Sequence, residues 1–205
     1  MHLKKTLLAA ALLAAVPYPA MAANPSGHLE AYYLDSSLEL EADDTVDFDG
    51  DGFGIRGDAR VGENAFAFGE FQHAEYDRVG PVELNIEQIR FGLGYLFSRS
   101  ESLDFYGKLS YLNFELDSNV ADAEDNGWAA HAGVAFRPSG TIALFGEIGY
   151  VDVSDLSGPE YSIGASFDVT GQFGIVAGYR LSDLESDDDA GLNLRDLQLG
   201  IRLGF

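Results

Sequence analysis

The chain contains no cysteine, so no disulfide closes it and no thiolate binds a metal in it. Basic residues are scarce. Twelve Lys and Arg stand against 34 Asp and Glu, a formal net charge of −22 over 205 residues. Nucleic acid, which is held mainly through cations on its phosphates, is excluded as a partner on that balance. Long apolar runs are absent as well: the most apolar stretch, TLLAAALLAAV from Thr6 to Val16, is too short for the roughly 20 residues a helix needs to cross a bilayer. Helical periodicity is missing after residue 26. Histidine is limited to His2, His28, His73 and His131, widely scattered. With no nucleophile elbow, no His-Glu-x-x-His and no metal-ligand spacing, the sequence offers no catalytic constellation and reads as a non-enzyme.

What is present begins at the N-terminus. MHLKK is basic, the short apolar run follows, and PYPAMAANP closes with small residues, the three-part plan of a cleaved secretory signal. Ala20-x-Ala22 places the cut after Ala22. Residues 1–22 are therefore expected to be a signal peptide and 23–205 a single exported domain.

That domain alternates with period two. The clearest segment is the last, with Leu197, Leu199, Ile201, Leu203 and Phe205 on one face and Gln198, Gly200, Arg202 and Gly204 on the other. The same alternation recurs near 27–40, 53–61, 65–75, 86–97, 103–114, 127–137, 141–151, 161–169 and 172–181. Connections at Gly62–Asn64, Ser98–Ser102, Pro138–Gly140 and Thr170–Gly171 are short. Those near 41–52, 76–85, 115–126, 152–160 and 182–193 are long and rich in Asp and Glu. The expected fold is all-β, an antiparallel up-and-down transmembrane β-barrel of ten strands, with eight as the alternative and five acidic loops at one end.

The distribution of polarity selects the membrane form. The less apolar faces carry Arg56, Asp58, Arg60, Glu70, Arg90, Lys108, Glu147, Asp168, Arg180 and Arg202, interspersed with glycine, which predicts a polar, ionically networked interior. The opposite faces carry Tyr33, Tyr111, Trp128, Tyr150 and Tyr179 toward the long connections, and Phe97, Phe105, Phe136, Phe167, Phe173 and Phe205 toward the short ones. These are the two aromatic girdles of a membrane barrel.

On the signal segment, the alternating ending and segments such as DGDGFGIRG, EQIRFGLGY and KLSYLNFE, the chain resembles the small outer-membrane β-barrels of Gram-negative bacteria, the OmpX- and OmpA-like kind. The resemblance implies an outer-membrane location and contact with lipid and lipopolysaccharide. It also implies that Leu197, Leu199, Ile201, Leu203 and the terminal Phe205 form the signal read by the barrel-assembly machinery. Ten strands are a departure from the eight-stranded members.

Three motifs overlap in VDFDGDGFGIRGDARV, residues 46–61. GFGIRG fails as a dinucleotide fingerprint because it opens a strand, with no helix after it. Arg56-Gly57-Asp58 lies within a strand with two side chains inward, unsuited to presentation on a loop tip. Asp47, Asp49, Asp51 and Gly52 match the front of a calcium loop, but position 12 is Asp58 and no helices flank it. What survives is a weak divalent site for Ca²⁺ or Mg²⁺ at Asp47, Asp49 and Asp51, able to bridge to lipopolysaccharide phosphates. No other cofactor is expected. Because eight strands leave a filled interior and sixteen a channel, ten favour an ionically plugged lumen and a structural or surface-interaction role toward an unidentified ligand. A narrow porin-like channel for small solutes and a rim-located hydrolase follow as alternatives.

Overall fold

A computed structural model describes residues 26–41, 45–100, 102–119, 122–186 and 191–205. The expected signal peptide, Asp43, Asp44 and Asp187–Asp189 lie outside them. Ten antiparallel strands, β1 (Gly27–Glu41), β2 (Thr45–Arg60), β3 (Ala65–Val79), β4 (Val82–Arg99), β5 (Leu103–Ser118), β6 (Asp122–Phe136), β7 (Ile142–Val153), β8 (Leu156–Asp168), β9 (Phe173–Ser186) and β10 (Gly191–Gly204), pair in sequence order. The first and last close the ring, β1 against β10 from His28↔Gly204 to Glu41↔Gly191. Beyond the last rung the Phe205 carbonyl accepts the amides of Ser26 (2.5 Å) and Gly27 (3.1 Å), so the C-terminus seals the seam. Among the described residues there are ten strands, not eight, and they close without an unpaired sheet edge.

The strands are longer than the sequence pattern predicts. They run 12–18 residues, whereas a tilted strand crosses a bilayer in about 9–11. The regions read as long acidic loops are in large part strand: Asp47, Asp49 and Asp51 belong to β2, Glu75 and Asp77 to β3, Glu115 and Asp117 to β5, and Asp183 and Glu185 to β9. Only two residues join β3 to β4, Gly80-Pro81, and two join β7 to β8, Ser154-Asp155. Gly80 (φ 63°) and Ser154 (φ 55°) take the left-handed conformation that so tight a hairpin demands.

The reason for the difference is a change of phase. On β10, Leu197, Leu199 and Ile201 are exposed on the outside, but toward the far end it is Leu192 and Leu194 that are apolar, and they are buried inside. On β4, Phe91, Leu93, Tyr95 and Phe97 point out, whereas Leu84 and Ile86 point in. Side chains keep their faces, as period two requires; the apolar set moves from the outer face to the inner one. Near the termini the barrel is apolar outside and polar inside. At the other end it is acidic outside, with Asp35, Asp51, Glu75 and Asp183 exposed, and apolar inside.

The aromatic girdles stand on the outer face, with Tyr33, Tyr111, Trp128, Tyr150 and Tyr179 exposed in one ring and Phe97, Phe105, Phe136, Phe167 and Phe173 in the other. Tyr161 joins the first ring and Tyr95 the second. Partners stack across strands, as in Phe91–Tyr111 (centroids 5.1 Å) and Trp128–Tyr150 (6.4 Å).

Candidate functional site

The lumen has three levels. At the acidic end Leu34, Leu38, Phe48, Tyr76, Leu84, Ile86, Leu112, Val151, Val153, Leu184, Leu192 and Leu194 form one buried cluster drawn from eight of the ten strands. Leu34 and Leu38 are entirely inaccessible. This is a stopper built like the core of a soluble protein.

Beneath it lies an ionic layer. Arg90 on β4 donates to both carboxylate oxygens of Glu160 on β8 (2.5 and 2.9 Å), and His131 (2.9 Å) and Ser182 (2.9 Å) also contact that carboxylate. Arg180 on β9 donates from Nη2 to both carboxylate oxygens of Glu70 on β3 (2.8 and 2.7 Å), which also accepts from the Tyr32 hydroxyl (2.7 Å). Each of these pairs joins strands four places apart around the ring, so the bonds cross the lumen rather than follow its wall. Asp196, wholly buried, accepts from Gln72 (2.8 Å) and Ser36 (2.8 Å), and ties this layer to the stopper. The Arg90–Glu160 fork is directional as well as charge-neutralising, and pairing of this kind is what a buried charge requires.

Below the ionic layer the barrel opens into a blind cavity of about 1270 Å³. Its floor includes Arg90, Glu160, Arg180 and Gln198, and its mouth Arg60, Arg137, Asp168 and the Thr170–Gln172 turn. No residue of the stopper lines it.

The interior residues expected from sequence are distributed over these levels. Glu70, Arg90 and Arg180 are in the ionic layer. Arg56 pairs with Glu30 and donates to Gln198 (2.8 Å); Lys108 pairs with Glu147 (2.6 Å), and Arg202 with Glu30 (3.5 Å) and Ser166 (2.8 Å). Among the described residues Asp58 pairs with His28 (3.4 Å) and no other charged group. Arg60 and Asp168 sit at the mouth and form no ion pair among the described residues. Sequence reasoning missed Glu30, Glu160 and Asp196. Glu160 lay in a stretch read as loop, and its one signal was even spacing from Asp168, which points inward with it. Asp47, Asp49 and Asp51 line the outer face of β2 at alternate positions, about 6.8 Å apart along the strand, which strings them out in a row. Among the described residues no three acidic or histidine side chains gather as metal ligands.

Tight approach of rings to glycines shapes the lumen. Tyr32 lies over its cross-strand partner Gly54, Phe66 over Gly94, Tyr106 over Gly133 and Phe145 over Gly164. A Cβ at any of these glycines would enter the ring, so glycine is what lets each ring lie flat against the wall.

Residues 7–159 match the family described as outer membrane protein beta-barrel domain. The chain belongs to that family. It is accordingly an outer-membrane barrel, and three solved structures share the fold. The Neisserial surface protein A matches at 14% identity, 88% of this chain against 97% of that one, TM-score 0.51. The translocator domain of the autotransporter NalP from Neisseria meningitidis matches at 11%, 98% against 95%, TM-score 0.51. An outer-membrane channel from Pseudomonas putida F1 matches at 8%, 93% against 100%, TM-score 0.55. No curated protein matches the sequence. A surface protein, a translocator and a channel on one architecture fix the fold of this barrel and leave its function to its own lumen and surface.

Proposed function

We propose that this is a closed, non-conducting outer-membrane barrel whose role is structural and surface-directed, with its termini at the periplasmic side and its acidic end outside the cell. The observation that carries the reading is the stopper. A pore needs a continuous polar path, and here the polar cavity ends on cross-lumen ion pairs backed by a buried Leu, Phe and Val cluster. Ions would have to leave water to pass it, at a cost of several kcal/mol per charge. On this reading the end that carries both chain termini is the periplasmic one, which puts the stopper and the carboxylates, at the opposite end, outward.

The acidic crown is the working surface on this reading. The register sets carboxylates opposite each other: Asp35 faces Asp51, which faces Glu75, and Glu87 faces Glu115, which faces Glu124. Like charges on neighbouring rungs repel and favour a screening layer of cations. Divalent ions held diffusely there would bridge to the phosphates of surrounding lipopolysaccharide. Urea unfolding in lipid vesicles with Mg²⁺, and with Na⁺ at equal ionic strength, tests this. The crown reading expects extra protection from Mg²⁺, and equal midpoints would refute it.

A further inference from the structure

Filled barrels of this kind leave little lumen, yet this one keeps a blind cavity, and it exists because its two walls differ. One wall is aromatic. Phe66 and Phe68 on β3 and Tyr106 on β5 cluster there, Phe66 lying over Gly94 of β4, with Phe66 tilted against Phe68 (6.3 Å, 47°) and edge-on to Tyr106 (6.1 Å, 77°). The facing wall is made small by Ser162, Ser166, Gly174 and Gly178 on β8 and β9. Most of these small residues line the cavity.

The polar chemistry is equally particular. The chain as a whole is strongly acidic, but the cavity lining is balanced, with Arg and Lys offset by Asp and Glu in cross-lumen or neighbouring pairs. Among the described residues, the Gln198 amide nitrogen, a donor, and the Asp104 Oδ1, an acceptor, are buried on that lining without hydrogen-bond partners. Lys108 stands over the Phe68 ring (5.1 Å) while paired with Glu147, which also accepts the Tyr106 hydroxyl (2.7 Å).

A ligand suited to such a site is uncharged overall, presents an apolar face to flat rings, and carries groups that both donate and accept. Hydroxyls do both. A net anion or cation would meet a repelling charge for every attracting one. The volume exceeds the 300–1,000 Å³ typical of small-molecule pockets, which suits more than one sugar ring. We propose that the cavity is a binding site for a short, uncharged oligosaccharide entering from the terminal end, with a ring of the Phe66, Phe68 and Tyr106 cluster stacking against a sugar face and the ion-paired lining taking its hydroxyls.

The test uses the full chain in phosphatidylcholine nanodiscs, since alkyl-maltoside detergents carry the competing group. Titration of chitotriose and of maltotriose by calorimetry, with saturation-transfer NMR, reads affinity and contact and separates an amino-sugar source from a plain glucan. Two variants accompany it. Gly178→Phe fills the cavity from the small wall, where a Cβ meets only ordinary contacts (3.5 Å to Gln198, 3.7 Å to Ile163), and Tyr106→Leu removes the hydroxyl and flat ring from the cluster. Heat-modifiable migration certifies that each is folded. Saturable binding of at least one sugar, weakened about tenfold or more (roughly 1.4 kcal/mol) by Gly178→Phe and reduced by Tyr106→Leu, is expected. No saturable binding of either sugar to the folded wild type would overturn the proposal, as would an affinity unchanged by Gly178→Phe. A conducting wild type would refute the closed-barrel reading and leave this one standing.

Discussion

Glu160 accepts more hydrogen bonds than any other described group in the lumen, and its removal tests the ionic layer most sharply. Four contacts converge on its carboxylate: two from Arg90, one from His131 and one from Ser182. Glu160→Leu removes the carboxylate Arg90 is bonded to and leaves it only Glu70, its cross-strand neighbour, which is already bonded to Arg180. Arg90 is 5% exposed, and its Nε already lacks a partner. Breaking a buried pair in this way costs about 3–5 kcal/mol. Arg90→Leu is the milder change, because His131 and Ser182 still contact the remaining carboxylate; about 2–3 kcal/mol is expected from hydrogen bonds to a charged group. The double variant Arg90→Leu/Glu160→Leu removes both charges, so its cost falls below the sum of the singles by about 2 kcal/mol or more. Reversible urea unfolding in lipid vesicles, read through the sole tryptophan, Trp128, measures all three. If the singles add to the double within about 0.5 kcal/mol, or if Arg90→Leu proves worse than Glu160→Leu, the cross-lumen pair is not what holds the layer together.

Two further predictions concern the wall. Gly94→Ala drives a Cβ into the Phe66 ring and is expected to cost about 1–3 kcal/mol, while Gly94→Ala combined with Phe66→Leu recovers part of it in the same unfolding assay. Leu93→Lys, at mid-height on the exposed apolar band, is expected to cost about 2–4 kcal/mol. Asp49→Lys, on the acidic crown, should stay within about 0.5 kcal/mol of wild type. Equal costs at Leu93 and Asp49 would mean that the bilayer boundary does not lie between the girdle and the carboxylates.

Much of the barrel is legible in the sequence because period two survives everywhere. The strand count, the girdles and the inward set from Arg56 to Arg202 all follow from it. What period two conceals is the level at which polarity changes face. At Arg195-Asp196 on β10 the apolar positions pass from odd to even, and a reader following the greasy face loses the strand there. The same reversal hid the upper half of β2 and with it the strand position of Asp47, Asp49 and Asp51. It also consigned Glu160 to a loop. The phase change has a physical cause, since a strand leaving lipid for water must exchange an apolar exterior for a polar one. A segment in which alternation reverses is therefore evidence for a barrel wall standing above the membrane. The aromatic-on-glycine contacts were illegible for another reason: which ring meets which glycine depends on interstrand register, and alternation within one strand carries no register.

The cluster around Leu34 and Leu38 closes the lumen on the function proposed above. Planar-bilayer recording of the folded wild type, with insertion verified and a known porin as reference, tests it most directly. Silence at both polarities is the predicted result, and steady single-channel currents from the wild-type barrel would contradict it.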